Sequence, residues 1–300
     1  MRAKAFSTDL FELPLPAGHR FPMEKYRLLR EAVRHWPGLE LSLPPAASDA
    51  QLCLAHDPAY VERLCNGGLS NEEMRAIGFP WSEQMVERSR RSTGATIAAC
   101  ETAIDGPLAI AFNLAGGTHH AGYSRGEGFC CFNDSAVAAR LMQRQRACRR
   151  VLILDCDVHQ GNGTAEIFAD DPSVVTASIH AQANFPFQKA RSDLDIGLED
   201  GAGDMAYLAA IEDALAWADS LDEIDLLIYL AGADPLEADR LGRLRVSEHG
   251  LVERDRAVFA WAKANRFPVA VSMAGGYGQP IEQTVRSHMN TIALGLEMFI

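Results

Sequence analysis

Residues 151–163 read VLILDCDVHQGNG. Val151, Leu152, Ile153 and Leu154 form an unbroken apolar run that Asp155 ends. A strand with one face in water alternates apolar and polar residues. An unbroken run of this length suits a strand covered on both faces, as in a parallel sheet. Residues 109–113, 174–178, 225–230 and 269–272 have the same character. Helical spacing fills the intervals. Pro22 can open a helix through Tyr26 and Leu29, and Ser82 can cap a long one running toward Ile104. Asn133 or Asp134 can cap the next, ending near Ala147. Asp204 precedes a helix through Trp217, Ser247 precedes one through Trp261, and a last one starts at about Ile281. Strands alternating with helices indicate an α/β fold. The Pro- and Gly-rich stretches at 43–47 and 66–68 are loop-sized, so residues 1–300 are expected to form a single domain.

Ligands of an open parallel sheet bind beyond the carboxyl ends of its strands. Four of the expected strands lead into polar segments there: GGTHH at 116–120, DCDVHQGNG at 155–163, AGADPLEADR at 231–240 and MAGGYG at 273–278. One site drawn from segments so far apart also argues against a domain boundary between them.

Composition narrows the field. The chain has 300 residues, 48% of them hydrophobic, which is ample for a sizeable core. A formal net charge of -12 gives no support to direct nucleic-acid binding, and an acidic surface would favour a cationic partner. The seven cysteines form no Cys-x-x-Cys pair, so neither a disulfide framework nor a Cys-rich zinc site is expected. The first residues do not read as a signal peptide, and the apolar runs are too short to span a bilayer. The expected location is the cytoplasm.

On an extended chain, residues two apart project to one side. Asp155, Asp157 and His159 therefore share a face, and Asp157 and His159 can approach one ion. Carboxylate oxygen with imidazole nitrogen suits zinc or ferrous iron, and Asp234, beyond the 225–230 strand, is the natural third ligand. In isolation the same residues would read equally well as a solvated turn. The other strand ends decide against that. Two carboxylates leave an ion less electrophilic than three imidazoles would, so protein groups must share the work. His119 and His120 can act as an acid/base pair, with Asp155 as candidate partner for His119 and Asn162 for His120. Asn162 is neutral, so it would orient His120 without raising its basicity. Tyr277, set among glycines, can donate a hydrogen bond to an oxyanion. In the segment GEGFCCFN at 126–133, Gly128 precedes Phe129, which could wall a narrow channel with Phe185.

Together these residues resemble the histone deacetylase superfamily, which shares its fold with arginase. The resemblance runs from about Leu10 to the carboxyl end and is carried by four motifs in order: 116–133, DCDVHQGNG, AGADPLEADRLGRL and AGGYG. The QGN after His159 and the ADRLGRL after Asp234 look most like the class IV branch and its bacterial relatives. The commoner family pattern has Asp where this chain has Asn162. The resemblance implies a central parallel sheet of about eight strands flanked by helices. It implies metal ligands Asp157, His159 and Asp234, an acid/base pair in His119 and His120, and an oxyanion donor in Tyr277. It also implies an acyl-lysine tunnel flanked by Phe129 and Phe185. It further implies a structural potassium ion near Asp155, Asp157 and His159, with Ser178 contributing.

The expected function is zinc-dependent removal of an acyl group, acetyl or longer, from a lysine peptide or protein or from a related small amine. A catalytically silent binder of acylated amines or of a partner protein on the same fold is the alternative. An arginase-like centre with two manganese ions would need a second Asp close after Asp234, where Pro235 and Leu236 stand instead.

Overall fold

The computed structural model describes residues 1–146, 148–221 and 223–300. Its strands are β1 (Ala3–Phe6), β2 (Leu39–Ser42), β3 (Ile110–Asn113), β4 (Val151–Asp155), β5 (Val174–Ala181), β6 (Leu194–Leu198), β7 (Leu226–Leu230) and β8 (Val269–Ser272). Its helices are α1 (Glu24–Val33), α2 (Asp49–Leu52), α3 (Pro58–Cys65), α4 (Asn71–Ile77), α5 (Glu83–Asp105), α6 (Asp134–Gln145), α7 (Asn162–Ile167), α8 (Asp204–Ala218), α9 (Glu248–Asn265) and α10 (Ile281–Phe299). All eight strands pair in parallel in the order β2-β1-β3-β8-β7-β4-β5-β6.

The unbroken apolar runs are explained by burial on both faces. Leu152 and Leu154 of β4 point into one apolar layer, with Leu227 and Tyr229 of β7 and Val269 and Val271 of β8. Helices α1, α8, α9 and α10 complete that layer through residues such as Leu29, Ile211, Phe259 and Ile292. Val151 and Ile153, with Leu226, Ile228 and Ala270, point into the opposite layer, which α3, α5 and α6 cover through Leu64, Ala99 and Val137. Moving a strand by one residue would exchange the two layers, so the register is tightly specified.

The helix starts follow local chemistry. The Ser82 side chain accepts from the Met85 N–H, Asn133 from Ala136 and Ser247 from Gly250, each satisfying a donor the first turn leaves free. Helix α1 begins at Glu24, two residues beyond Pro22, whose carbonyl closes a preceding turn with the Lys25 N–H. Asp204 is the first residue of α8 rather than the residue before it, and its carboxylate accepts from Ser247 N–H and Oγ at the start of α9. The expected end of α6 near Ala147 lies outside the described residues.

For the site, strand order is decisive. β3, β8, β7 and β4 are consecutive neighbours in the sheet, and because they are parallel their carboxyl ends share one edge. The four polar segments therefore emerge side by side.

Candidate active site

Asp157, His159 and Asp234 converge beyond β4 and β7, with one ligand atom from each within 4.8 Å of the others. His159 Nδ1 lies 3.0 Å from Asp157 Oδ1 and 3.3 Å from Asp234 Oδ2. Backbone donors hold the carboxylates: Asp157 Oδ2 accepts from Gly275 N–H (2.8 Å) and Asp234 Oδ1 from Val158 N–H (2.9 Å). Asp234 Oδ2 is buried and, among the described residues, receives no well-directed hydrogen bond, the His159 ring at 3.3 Å being the group that faces it. Such an atom is costly unless a cation meets it. Burial opposes charge on His159, yet Asp157 and Asp234 outweigh it and lift the imidazole to about 10. Burial, reinforced by repulsion from Asp157, raises Asp234 to about 7 against the pull of His159. A cluster that holds a proton this firmly is built for positive charge, and its donor set fits a divalent ion of the zinc type.

The glycine-rich turn after β3 carries the histidine pair. Asp134, at the start of α6, organises it by accepting from Gly117 N–H (3.0 Å), Thr118 N–H (2.8 Å) and Thr118 Oγ1 (2.8 Å). His119 Nδ1 pairs with Asp155 Oδ2 at 2.5 Å, and His120 Nδ1 with Asn162 Oδ1 at 2.6 Å. Both pairings expected from the sequence are thus present. Their consequences differ. Burial works against a charged His119, but Asp155 and Asp157 reverse it and raise the imidazole to about 9. Burial, with His119 and His159 nearby, pushes His120 well down, and its Asn162 partner offers no counter-charge.

Tyr277 rests in the loop after β8, its ring 6.5 Å from that of His159. Burial first, then Asp157 and Asp234, push its phenol well above the usual range, so it stays a donor. A cavity of about 660 Å³ opens beside His119, His120, Asp157, His159 and Tyr277. Gly128, Phe129 and Phe185 line it too. Phe185 meets His120 edge-on at 4.9 Å. Gly128 and Phe129 both have positive φ, at 55° and 67°, and close a tight turn between Glu127 and Cys130. A Cβ on Gly128 would lie 2.6 Å from the His120 ring, so only glycine lets this turn approach. Asp155, Asn162 and Asp234 do not line the cavity; they sit behind the residues that do. Ser178 faces Asp155 in the β4–β5 register, and its Oγ lies 3.0 Å from His180 Nδ1.

Several residues of the site were not singled out in the sequence. Buried Lys25 of α1 donates to the carbonyls of Ala274 and Gly276 (3.2 Å each) and lies over the Tyr277 ring. Arg254 of α9 is buried beneath the loop that carries Asp234. Its Nη1 donates to Gly232 O (2.6 Å), and it pairs with Asp255 (2.8 Å). Phe21 and Phe79 line the cavity with Phe129. Glu127 accepts from Asn162 Nδ2 (3.2 Å). Only the topology brings α1, α9 and the 126–131 turn to one place.

Comparison with known proteins adds to this geometry. The chain is 43% identical over 278 residues to an uncharacterised protein of Picosynechococcus, covering 92% of each. It is 32% identical to histone deacetylase 2 of Arabidopsis thaliana over 243 residues, 78% of this chain and 62% of that longer one. A crystal structure of a histone deacetylase homologue complexed with SAHA superposes with a TM-score of 0.84, covering 98% of this chain and 84% of the other. At 24% identity that likeness speaks to the fold. A histone deacetylase domain model matches residues 19–292, and with so nearly the whole chain matched, the protein belongs to the histone deacetylase family.

Proposed function

We propose that this chain, acting as one catalytic domain, hydrolyses the amide between an acyl group and the amine of lysine or a related small amine. The observation that carries the proposal is the meeting at one cavity of a cation-binding cluster, a charged and a neutral histidine, and a protonated tyrosine. Membership of the family supports the same reading. The QGN and ADRLGRL segments favour kinship with the class IV branch.

Asp157, His159 and Asp234 would hold the ion, zinc in the first instance, with ferrous iron matching the same donors. When bound, the ion supplies Lewis acidity and lowers the pKa of a coordinated water. The chain supplies the rest. His120 is neutral and directs Nδ1 at Asn162, which leaves Nε2 free to take a proton from the attacking water and pass it to the leaving amine. His119, kept cationic by Asp155, stabilises negative charge on the carbonyl oxygen. Tyr277 donates a hydrogen bond to that oxygen. The products are a carboxylate and a protonated amine. Phe129 and Phe185 would flank the acyl-amine chain. A potassium ion near Asp155 and Ser178 would be structural. Acyl chains longer than acetyl belong to the same proposal, since Leu13, Phe21, Tyr26 and Phe79 add apolar lining to the same cavity.

The test is hydrolysis of an acetyl-lysine peptide by the zinc-loaded chain in water enriched in oxygen-18. One labelled oxygen should appear in the released acetate. Acetate released without label, or no release at all, would contradict the proposal.

A further inference from the structure

We infer that Glu127 is a positioning residue for the proposed hydrolysis: its carboxylate fixes the amide of Asn162, and through it the tautomer of His120. The inference rests on the functional reading above for its kinetic consequence, but its geometry stands independently.

Asn162 makes two hydrogen bonds with opposite ends of its side chain. Oδ1 faces His120 Nδ1 at 2.6 Å, and Nδ2 donates to Glu127 Oε2 at 3.2 Å. An amide has one donor end and one acceptor end, whereas an ionised carboxylate only accepts. Turning the amide over would set Oδ1 against the Glu127 carboxylate and aim Nδ2 at His120. The carboxylate therefore selects one orientation, through a charge-assisted bond of roughly twice the neutral strength. With Oδ1 held toward it, His120 must carry its proton on Nδ1, and Nε2 keeps its lone pair for the cavity. The opposite amide orientation would favour the other tautomer, which has no lone pair on Nε2.

The backbone that carries Glu127 is held on both sides. It opens the positive-φ turn that Cys130 closes, with Glu127 N–H donating to Cys130 O (3.0 Å) and Cys130 N–H to Glu127 O (2.9 Å). The turn is pinned to the end of α4 by Gly128 N–H on Ala76 O (3.0 Å) and Phe129 N–H on Ile77 O (2.7 Å). Arg125 does not draw the carboxylate away. Its Nη1 is 2.5 Å from Glu166, while its Nε stands 3.9 Å from Glu127. An Asp at 162 would set two carboxylates face to face, so neutral Asn162 and charged Glu127 form a complementary pair.

The test compares Glu127→Gln, Asn162→Asp and the double variant in the zinc-loaded protein. Glu127→Gln is expected to lower kcat about tenfold with KM nearly unchanged, the usual scale for a supporting carboxylate. Asn162→Asp alone should also be impaired, and the double variant, with a single carboxylate now directly on His120, should recover much of the loss. Nitrogen-15 histidine spectra provide a readout independent of turnover. They should show His120 protonated on Nδ1 in the wild type and a mixture of tautomers in Glu127→Gln. Arg125→Ala removes the surface ion pair, keeps the carboxylate, and should leave the wild-type tautomer. Unchanged kcat and unchanged spectra in Glu127→Gln would overturn the inference, as would Arg125→Ala reproducing the Glu127→Gln spectrum. If the wild type hydrolysed nothing, the functional reading would fail, and the spectra alone would decide on Glu127.

Discussion

The Gly275 N–H donates to Asp157 Oδ2 across 2.8 Å, tying the loop that carries Tyr277 to a residue of the cation cluster. The proposed oxyanion donor and the proposed ion are thus located by one contact. Gly275 does not have positive φ, so alanine is allowed there by the backbone. Space is another matter: an added Cβ would overlap Asp234 Oδ2 and fall 2.5 Å from Asp157 Oδ2. Gly275→Ala is therefore expected to weaken zinc binding at least about tenfold while the fold survives. Competition with a chromogenic chelator measures the first effect, and circular dichroism the second.

Metal binding should release protons in a pH-dependent number. His159, held at about 10, is protonated in the metal-free protein at neutral pH, and Asp234, held at about 7, joins it below neutrality. An ion must displace both. Zinc uptake should release about one proton at pH 8 and about two at pH 6, so apparent affinity falls as pH falls. Calorimetry in buffers of different ionisation enthalpy counts the protons. A release independent of pH would contradict the assignment.

Arg254 and Asp255 form a fully buried pair, with Tyr229 Oη (2.5 Å) and Thr291 Oγ1 (2.6 Å) also donating to Asp255. Replacing Arg254 by Met fills most of the volume but strands the carboxylate. The expected loss is about 3–5 kcal/mol of unfolding free energy. Urea titration should show a lower midpoint with little change in slope.

His56 gives the fold a pH limit. It is buried, pairs through Nδ1 with Gly122 O (2.9 Å), and accepts the Asn133 N–H at Nε2 (2.8 Å). Burial, opposed only by the backbone contacts, lowers it from 6.5 to about 4. Between those values the unfolded chain binds a proton that the folded one refuses. Stability is therefore complete above about pH 6.5 and falls as pH drops toward 4, by on the order of 3 kcal/mol for this residue. His180, also lowered by burial to about 4, acts in the same direction. Urea unfolding at pH 7, 5.5 and 4 should show this decline, with a shallower slope in His56→Gln.

Much of this was legible in the sequence, and the limits are physical. β3, β4, β5, β7 and β8 announce themselves because burial on both faces demands continuous apolar residues. β1, β2 and β6 lie toward the sheet's edges; β6 alternates between half-buried and exposed positions, and the sequence around it gives no such run. The four polar segments could be assigned to one edge because parallel strands share their direction. The partners of the histidines were legible too, since Asp155 and Asn162 stand in the same motif as His159. Lys25, Arg254 and Glu127 were not. Each acts through a contact whose partner is distant in sequence; Lys25 and Arg254 sit in ordinary helical segments, and Glu127, though inside the 116–133 motif, has nothing beside it that marks its contact with Asn162.

Acyl-amide hydrolysis by the metal-loaded site is tested most directly by amine release by zinc-loaded protein from lysine peptides carrying acyl chains from acetyl to myristoyl and from acetylated polyamines, with Tyr277→Phe and chelated protein alongside. Release from at least one substrate class is expected, lost on chelation and reduced about 100-fold or more in Tyr277→Phe, whose zinc content stays normal. Release no greater than that of Tyr277→Phe across the whole panel would contradict it.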